Sequence, residues 1–174
     1  MFTTDHGHFL GQHGLIAKGP FHYEDLVRLP FIVRYPGVVP AGTISPAIQS
    51  LVDLAPTFLS LADIPVPLWM QGIDQSQAWQ GAGSGATSRR WTIVENHHQP
   101  SRLHLRTFID DRYKLTIHRG ATYGEFFDLV EDPQELRNLW DDPRAASLKE
   151  KLFAQFFQAE LEREWVPVPR IAGA

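Results

Sequence analysis

The chain has 174 residues, of which 43% are hydrophobic, 11% aromatic and 21% charged, the profile of an ordinary globular protein rather than a disordered or fibrous one. Sixteen basic against 20 acidic residues give a net charge of −4, which supplies no positive field for a phosphate backbone and sets nucleic acid aside as a partner. There is no cysteine, so disulfides, thiolate chemistry and cysteine-ligated zinc are excluded within these residues. No apolar run approaches the ~18 residues of a membrane span, so the expectation is a soluble chain, cytoplasmic by default, with no membrane partner.

Only four residues precede the polar turn Asp5-His6-Gly7-His8, too few for the strand expected ahead of it, so the N-terminus reads as truncated. Residues 7 to 20 carry Gly7, Gly11, Gly14 and Gly19 and close on Pro20, which predicts an ordered loop. Tyr23 to Arg28 can form a short helix, with Glu24 and Arg28 spaced as an exposed surface pair. After Pro30, the β-branched and aromatic run Phe31-Ile32-Val33-Arg34-Tyr35 predicts a strand.

Pro36-Gly37 and Pro40-Ala41-Gly42 mark a turn. Asp53 can then cap a helix whose Leu54, Phe58, Leu59 and Leu61 fall at core spacing, with Pro56 tolerated in its first turn. Residues 63 to 88 read as a connector that is most flexible at Gly81-Ala82-Gly83-Ser84-Gly85. Beyond it, Trp91 to Val94, Leu103 to Ile109 and Tyr113 to His118 predict three strands of a small antiparallel sheet, with Asp110-Asp111-Arg112 as a hairpin turn. Leu148, Leu152 and Phe156, beside Phe153, Phe157 and Leu161, give an apolar stripe on a last helix near residues 147 to 164. The expected organisation is an α/β part over residues 1–80, a linker at 81–88, and an α+β sheet-plus-helix part over 89–174.

Chemistry concentrates in the first loop, where Asp5, His6, His8, His13 and Lys18 stand close together. A carboxylate next to an imidazole can share one divalent ion, and a lysine returned to the same place by a glycine-rich bend can pair with an anionic oxygen. The plainer reading is that Asp5 and His6 satisfy backbone groups of a turn while Lys18 is solvated. His8 is offset from the pair, and His13 is assigned no role. Glu95-Asn96-His97-His98 follows a predicted strand, where it either lines a pocket or forms a solvated turn.

Thr4-Asp5-His6-Gly7, Leu10-Gly11-Gln12-His13-Gly14 and Lys18-Gly19-Pro20-Phe21 together resemble the sulfatases of the alkaline-phosphatase-like superfamily. The resemblance continues through Arg28 to Gly37, Val52 to Thr57, Met70-Gln71-Gly72, Arg106-Thr107, Arg112 to Leu115 and Phe127 to Leu139. It implies the C-terminal part of an alkaline-phosphatase-like mixed-sheet α/β domain, followed by a small antiparallel sheet with a C-terminal helix. By the same resemblance Asp5 and His6 are ligands of a divalent metal ion, commonly calcium, with magnesium, manganese and zinc as alternatives. The resemblance also implies that Lys18 is the catalytic and substrate-binding residue that contacts the sulfate or bridges it to the nucleophile, while His97 and His98, from their place after a strand, are candidate substrate contacts.

The family's Cys/Ser-x-Pro-x-Arg segment, whose first residue becomes formylglycine, is absent here, as are the acidic metal ligands of its first strand. The expectation is therefore a C-terminal fragment of a sulfuric ester hydrolase acting on a small-molecule sulfate ester, with the formylglycine supplied by an N-terminal part. Alone the chain is expected to be inactive and to self-associate through exposed sheet edges. Two alternatives stand beside this reading: a phosphonate or phosphate monoester hydrolase of the same superfamily, and a non-catalytic binding or assembly module.

Overall fold

A computed structural model describes residues 1–81, 89–98 and 102–163. Its best-ordered packing is an antiparallel meander of four strands, β3 (Thr92–His98), β4 (Leu103–Ile109), β5 (Tyr113–His118) and β6 (Gly124–Asp128), hydrogen-bonded in that order. Ile93 pairs with Phe108, Phe108 with Leu115, and Leu115 with Phe126. Because side chains alternate between faces, these four residues form one apolar row across the sheet.

The helix α4 (Ala146–Arg163) covers that row with Leu152, Phe156 and Ala159, and the Phe108 and Phe156 rings lie 5.7 Å apart. Burying each such Leu or Phe is worth about 1.5–3 kcal/mol. Of the two stripes expected on this helix, Leu152 and Phe156 are buried, while Phe157 and Leu161 point to solvent. A 3-10 turn at Pro143–Ala145 leads into the helix, and Asp142 caps that turn by accepting a hydrogen bond from Arg144 N–H, with Pro143 at its first position.

The sequence does not announce β6. Its apolar Phe126 and Phe127 are buried on opposite faces, so the alternation that marks a half-exposed strand is missing. The strand is held on its outer edge by Asn138, whose Oδ1 accepts from Phe126 N–H at 2.9 Å and whose Nδ2 donates to the Gly124 carbonyl at 2.9 Å.

The first region is built differently. Residues 7 to 20, expected as a loop, contain a minimal hairpin of β1 (Phe9–Leu10) and β2 (Ile16–Ala17) around a single 3-10 turn at Gln12–Gly14. The helix α1 spans only Glu24–Val27. The expected strand at residues 31 to 35 reduces to one bridge, with Phe2 N–H donating to Ile32 O at 2.8 Å and Ile32 N–H to Phe2 O at 2.9 Å. Its other backbone bonds among the described residues are turn contacts, Val38 and Val39 N–H donating to the Tyr35 carbonyl, and a strand forms only where a partner ladder exists.

The helix α2 (Leu54–Leu61) follows a 3-10 turn at Leu51–Asp53, and α3 (Ser76–Trp79) interrupts the expected connector. The buried face of α2 holds Pro56 and Thr57, and Phe58, expected in the core, is exposed. Asp53 precedes α2 as expected, but its carboxylate does not cap that helix. It accepts from Ile73 N–H at 2.9 Å, from Gln75 Nε2 at 3.2 Å and from Arg89 Nε at 2.8 Å, with Arg89 Nη2 on its other oxygen. Of the expected linker at 81–88 only Gly81 lies within the described residues, and Arg89 beyond it is joined back to the first region through Asp53.

The two regions meet on the sheet face opposite α4. Thr107 pairs with Thr116, and Thr116 with Glu125, so this face carries a polar row where the other carries an apolar one. Residues 22 to 24 lie against it and provide its partners.

Candidate functional site

Gly7 fixes the polar turn at residues 5 to 7 against α1. Its N–H donates to the Leu26 carbonyl at 2.8 Å, and His8 N–H donates to the Asp25 carbonyl at 3.2 Å. A Cβ at position 7 would stand 1.9 Å from the Asp25 carbonyl oxygen, so only glycine permits this approach.

The turn presents Asp5 and His6 side by side. His6 Nδ1 lies 2.7 Å from the Gly7 carbonyl oxygen, and since a carbonyl only accepts, Nδ1 is the donor. In the neutral ring this leaves the Nε2 lone pair facing Asp5 Oδ2 at 3.8 Å. Two acceptors turned toward each other at that separation fit a shared divalent cation. Backbone hydrogen bonding, then His6 and the Thr4 hydroxyl, hold the Asp5 carboxyl below the usual carboxylate range, so it is charged at neutral pH. Among the described residues no group of three or more His, Asp or Glu converges on one point. Two side chains are well short of the roughly six to eight ligands that calcium takes.

Lys18 follows β2 directly, after Ala17 turns the chain in the left-handed region with φ of 65°. It is exposed and makes no ion pair among the described residues. Lys18, Asp5 and His6 border one cavity of about 640 Å³, whose far wall includes Val94 and Asn96 of β3. The structure thus brings these three residues to one space, a carboxylate beside an imidazole and an ammonium group on its border.

The other histidines go elsewhere. His13 stacks on the Tyr23 ring at 3.8 Å between centroids, with its Nε2 4.0 Å from Asp25 Oδ2. His8 is exposed. His97 does not border the cavity: its Nε2 lies 3.1 Å from Glu95 Oε1, and its ring centroid is 3.5 Å from that of His104, its partner across the strands. The side chain of His98 lies outside the described residues. Glu95 and Asn96, from the same sequence run, do border the cavity. The surface pair expected between Glu24 and Arg28 is replaced by a buried one. Lys114, 1% exposed, donates to Glu24 Oε1 at 2.6 Å and to the His22 carbonyl at 3.0 Å, and pairs with Glu135 Oε1 at 2.8 Å.

His22 also borders the cavity and is not indicated by the sequence. It is 4% exposed, and its Nδ1 lies 2.8 Å from Thr107 Oγ1, which is itself 2.8 Å from Thr116 Oγ1. Burial, reinforced by the charges of Lys114 and His118, pushes its pKa down to about 4, so the ring is neutral at neutral pH. Its partners lie 85 residues or more away, and nothing local in the sequence marks them.

Comparison with known proteins gives one consistent result. Residues 11–162 match the family model described as N-sulphoglucosamine sulphohydrolase, C-terminal. An N-acetylglucosamine-6-O-sulfatase of Bacteroides thetaiotaomicron is 31% identical over 157 residues, covering 87% of this chain and 28% of that protein. A solved structure of a protein in complex with its substrate D-glucosamine-2-N,6-O-disulfate superimposes with a TM-score of 0.86 at 29% identity, over 93% of this chain and 34% of that one. The fold alone is shared with a phosphonate monoester hydrolase of Agrobacterium radiobacter, at 22% identity and a TM-score of 0.80, over 93% of this chain and 34% of that one.

Proposed function

The chain belongs to the N-sulphoglucosamine sulphohydrolase C-terminal family, the C-terminal portion of a sulfatase of the alkaline-phosphatase-like superfamily, and on that premise we propose that it contributes the cation and anion holders of a sulfuric ester hydrolase site. The observation that carries this reading is the convergence of Asp5, His6 and Lys18 on one cavity. In the proposal Asp5 Oδ2 and His6 Nε2 hold a divalent ion, calcium by preference, and Lys18 Nζ pairs with an oxygen of the sulfate group. A divalent ion held there supplies positive charge to the oxygens of the transferring group. Lys18 adds a second positive charge at a fixed position, and charge placed in advance favours the transition state over the bound ester.

The chain spans about 30% of the length of the relatives it matches, and its 174 residues include no cysteine. Since the Cys/Ser-x-Pro-x-Arg segment is also missing from these residues, the proposed formylglycine nucleophile and the remaining metal ligands come from residues outside this stretch, and the chain alone is expected to be inert. The names of two of these relatives, an N-acetylglucosamine-6-O-sulfatase and a protein bound to D-glucosamine-2-N,6-O-disulfate, support a sulfated amino sugar as the substrate class.

The reading is tested by thermal unfolding of the chain with and without calcium. A hundredfold excess over Kd should stabilise it by about 2.7 kcal/mol, and Asp5→Asn or His6→Ala should abolish the shift. Inorganic sulfate should bind in the presence of calcium, and Lys18→Ala should remove that binding. A melting temperature indifferent to calcium would instead favour the non-catalytic module. For the protein that unites this chain with its nucleophile, faster turnover of a phosphonate monoester than of an aryl sulfate would move the reading to the phosphonate hydrolases.

A further inference from the structure

The ring of His22 is anchored at one nitrogen only. Nδ1 faces Thr107 Oγ1, Thr107 Oγ1 faces Thr116 Oγ1, and neither hydroxyl has another side-chain partner among the described residues. Nε2 has no hydrogen-bond partner among the described residues, and His22 is one of the residues that border the cavity.

The direction of this short chain of hydrogen bonds decides the tautomer. If Nδ1 carried the proton it would donate to Thr107, Thr107 would donate to Thr116, and the Thr116 hydroxyl proton would be left buried with nothing to accept it. Thr107 and Thr116 are 0% and 1% exposed, so an orphaned donor there costs about 1–3 kcal/mol. In the reverse direction Thr116 donates to Thr107 and Thr107 donates to Nδ1. Both hydroxyl protons are then used, and the one donor left over, Nε2–H, belongs to the ring that borders the cavity rather than to a fully buried hydroxyl. The ring is thereby held as a neutral Nε2–H donor.

We propose that His22 donates its Nε2–H to an oxygen of the tetrahedral anion bound in this cavity, as a further substrate-binding residue beside Lys18. The inference rests on the sulfatase reading of the cavity and adds to it a contact of a different kind. Lys18 attracts any anion as a point charge, whereas a neutral donor fixed by two threonines selects the position of one oxygen. Because burial keeps the ring uncharged until the pH falls to about 4, the donor persists across the neutral range.

The test uses the calcium-loaded chain, with inorganic sulfate as the probe. Nitrogen-15 NMR of the histidine rings at pH 7 should show His22 protonated at Nε2 and not at Nδ1, with its Nε2 resonance moving as sulfate is added. His22→Leu should weaken sulfate binding roughly tenfold. His22→Gln, whose amide nitrogen occupies the place of Nε2, should bind within about threefold of the original chain. A ring protonated at Nδ1, or one charged at pH 7, overturns the inference whether or not sulfate binds. Sulfate binding that needs Lys18 but is equal in His22→Leu overturns the inference and leaves the cavity reading standing. No sulfate binding by the original chain overturns both.

Discussion

The two regions of this molecule are held together by opposite means. In residues 89–163 the core is apolar: a meander whose strands follow one another, closed by α4 over Phe108, Leu115 and Phe126, with one buried ion pair, Lys114 to Glu135, on the other face. In residues 1–81 no strand exceeds two residues, and no helix exceeds eight. Large apolar side chains such as Leu10, Ile16 and Ile32 are exposed there. What positions this region is a set of buried polar contacts to the other: Asp53 with Arg89, Glu24 with Lys114, and His22 with Thr107. The cavity that gathers Asp5, His6 and Lys18 lies where the two regions meet. Its geometry therefore depends on charges and hydrogen bonds rather than on a local core, and four measurements can break or sharpen that contrast.

The largest effect is expected at Asp53. Asp53→Ala leaves the Arg89 guanidinium facing buried surface with no carboxylate, and removing one partner of such a pair costs about 3–5 kcal/mol. Urea unfolding should register this loss. Hydrogen exchange should show that residues 48–80 lose protection while β4 and β5 keep theirs; uniform loss through both regions would refute the contrast.

Next comes the pH dependence of His22. Its folded value near 4 lies below the 6.5 of an unfolded histidine, so the unfolded chain takes up the proton first as the pH falls. This contribution to stability is whole above about pH 6.5, and about 3 kcal/mol is lost by pH 4. His22→Gln should flatten that part of the profile. An unchanged slope in the variant would mean that the junction of the regions does not depend on a neutral ring.

A smaller loss is expected from Gly7→Ala. The added methyl group meets the Asp25 carbonyl oxygen at 1.9 Å, and the strain should cost about 2 kcal/mol. Because the displaced turn carries Asp5 and His6, calcium should lose its stabilising effect together with the loss of stability. Retained calcium dependence would show that the turn tolerates the shift.

The smallest change belongs to the second region's surface. Arg112 forms an exposed bidentate pair with Asp128, at 2.8 Å for Nη2 to Oδ2. Although the hydrogen bond holds that carboxylate below its usual range, Arg112→Ala should leave the urea midpoint almost unchanged, because solvent screens an exposed pair. A cost of several kcal/mol would place a polar bolt in the region assigned to apolar packing.

The sequence by itself determined what short-range pattern encodes. The stripe of residues 147 to 164 produces α4 over Ala146–Arg163. The runs from Leu103 and from Tyr113 produce β4 and β5 at the expected bounds, and the turn around Asp110 closes through hydrogen bonds at 2.6 and 2.8 Å to the backbone of Tyr113 and Arg112. The motif residues of the first loop also identified the family, and Asp5, His6 and Lys18 reach one cavity because a single glycine-rich bend carries all three.

Only the tertiary structure decided the rest. Phe31 to Tyr35 have strand chemistry but meet no ladder, so a single bridge remains. β6 lacks alternation because both of its faces are covered, and Glu24 pairs with Lys114, 90 residues away, rather than with Arg28, which leaves the helix in an extended conformation. His22 gains its place in the cavity from two threonines on β4 and β5. Periodicity reports which face of an element avoids water, a property of neighbouring residues. The partner of a buried polar group is fixed by where distant backbone comes to rest, and no local pattern carries that information.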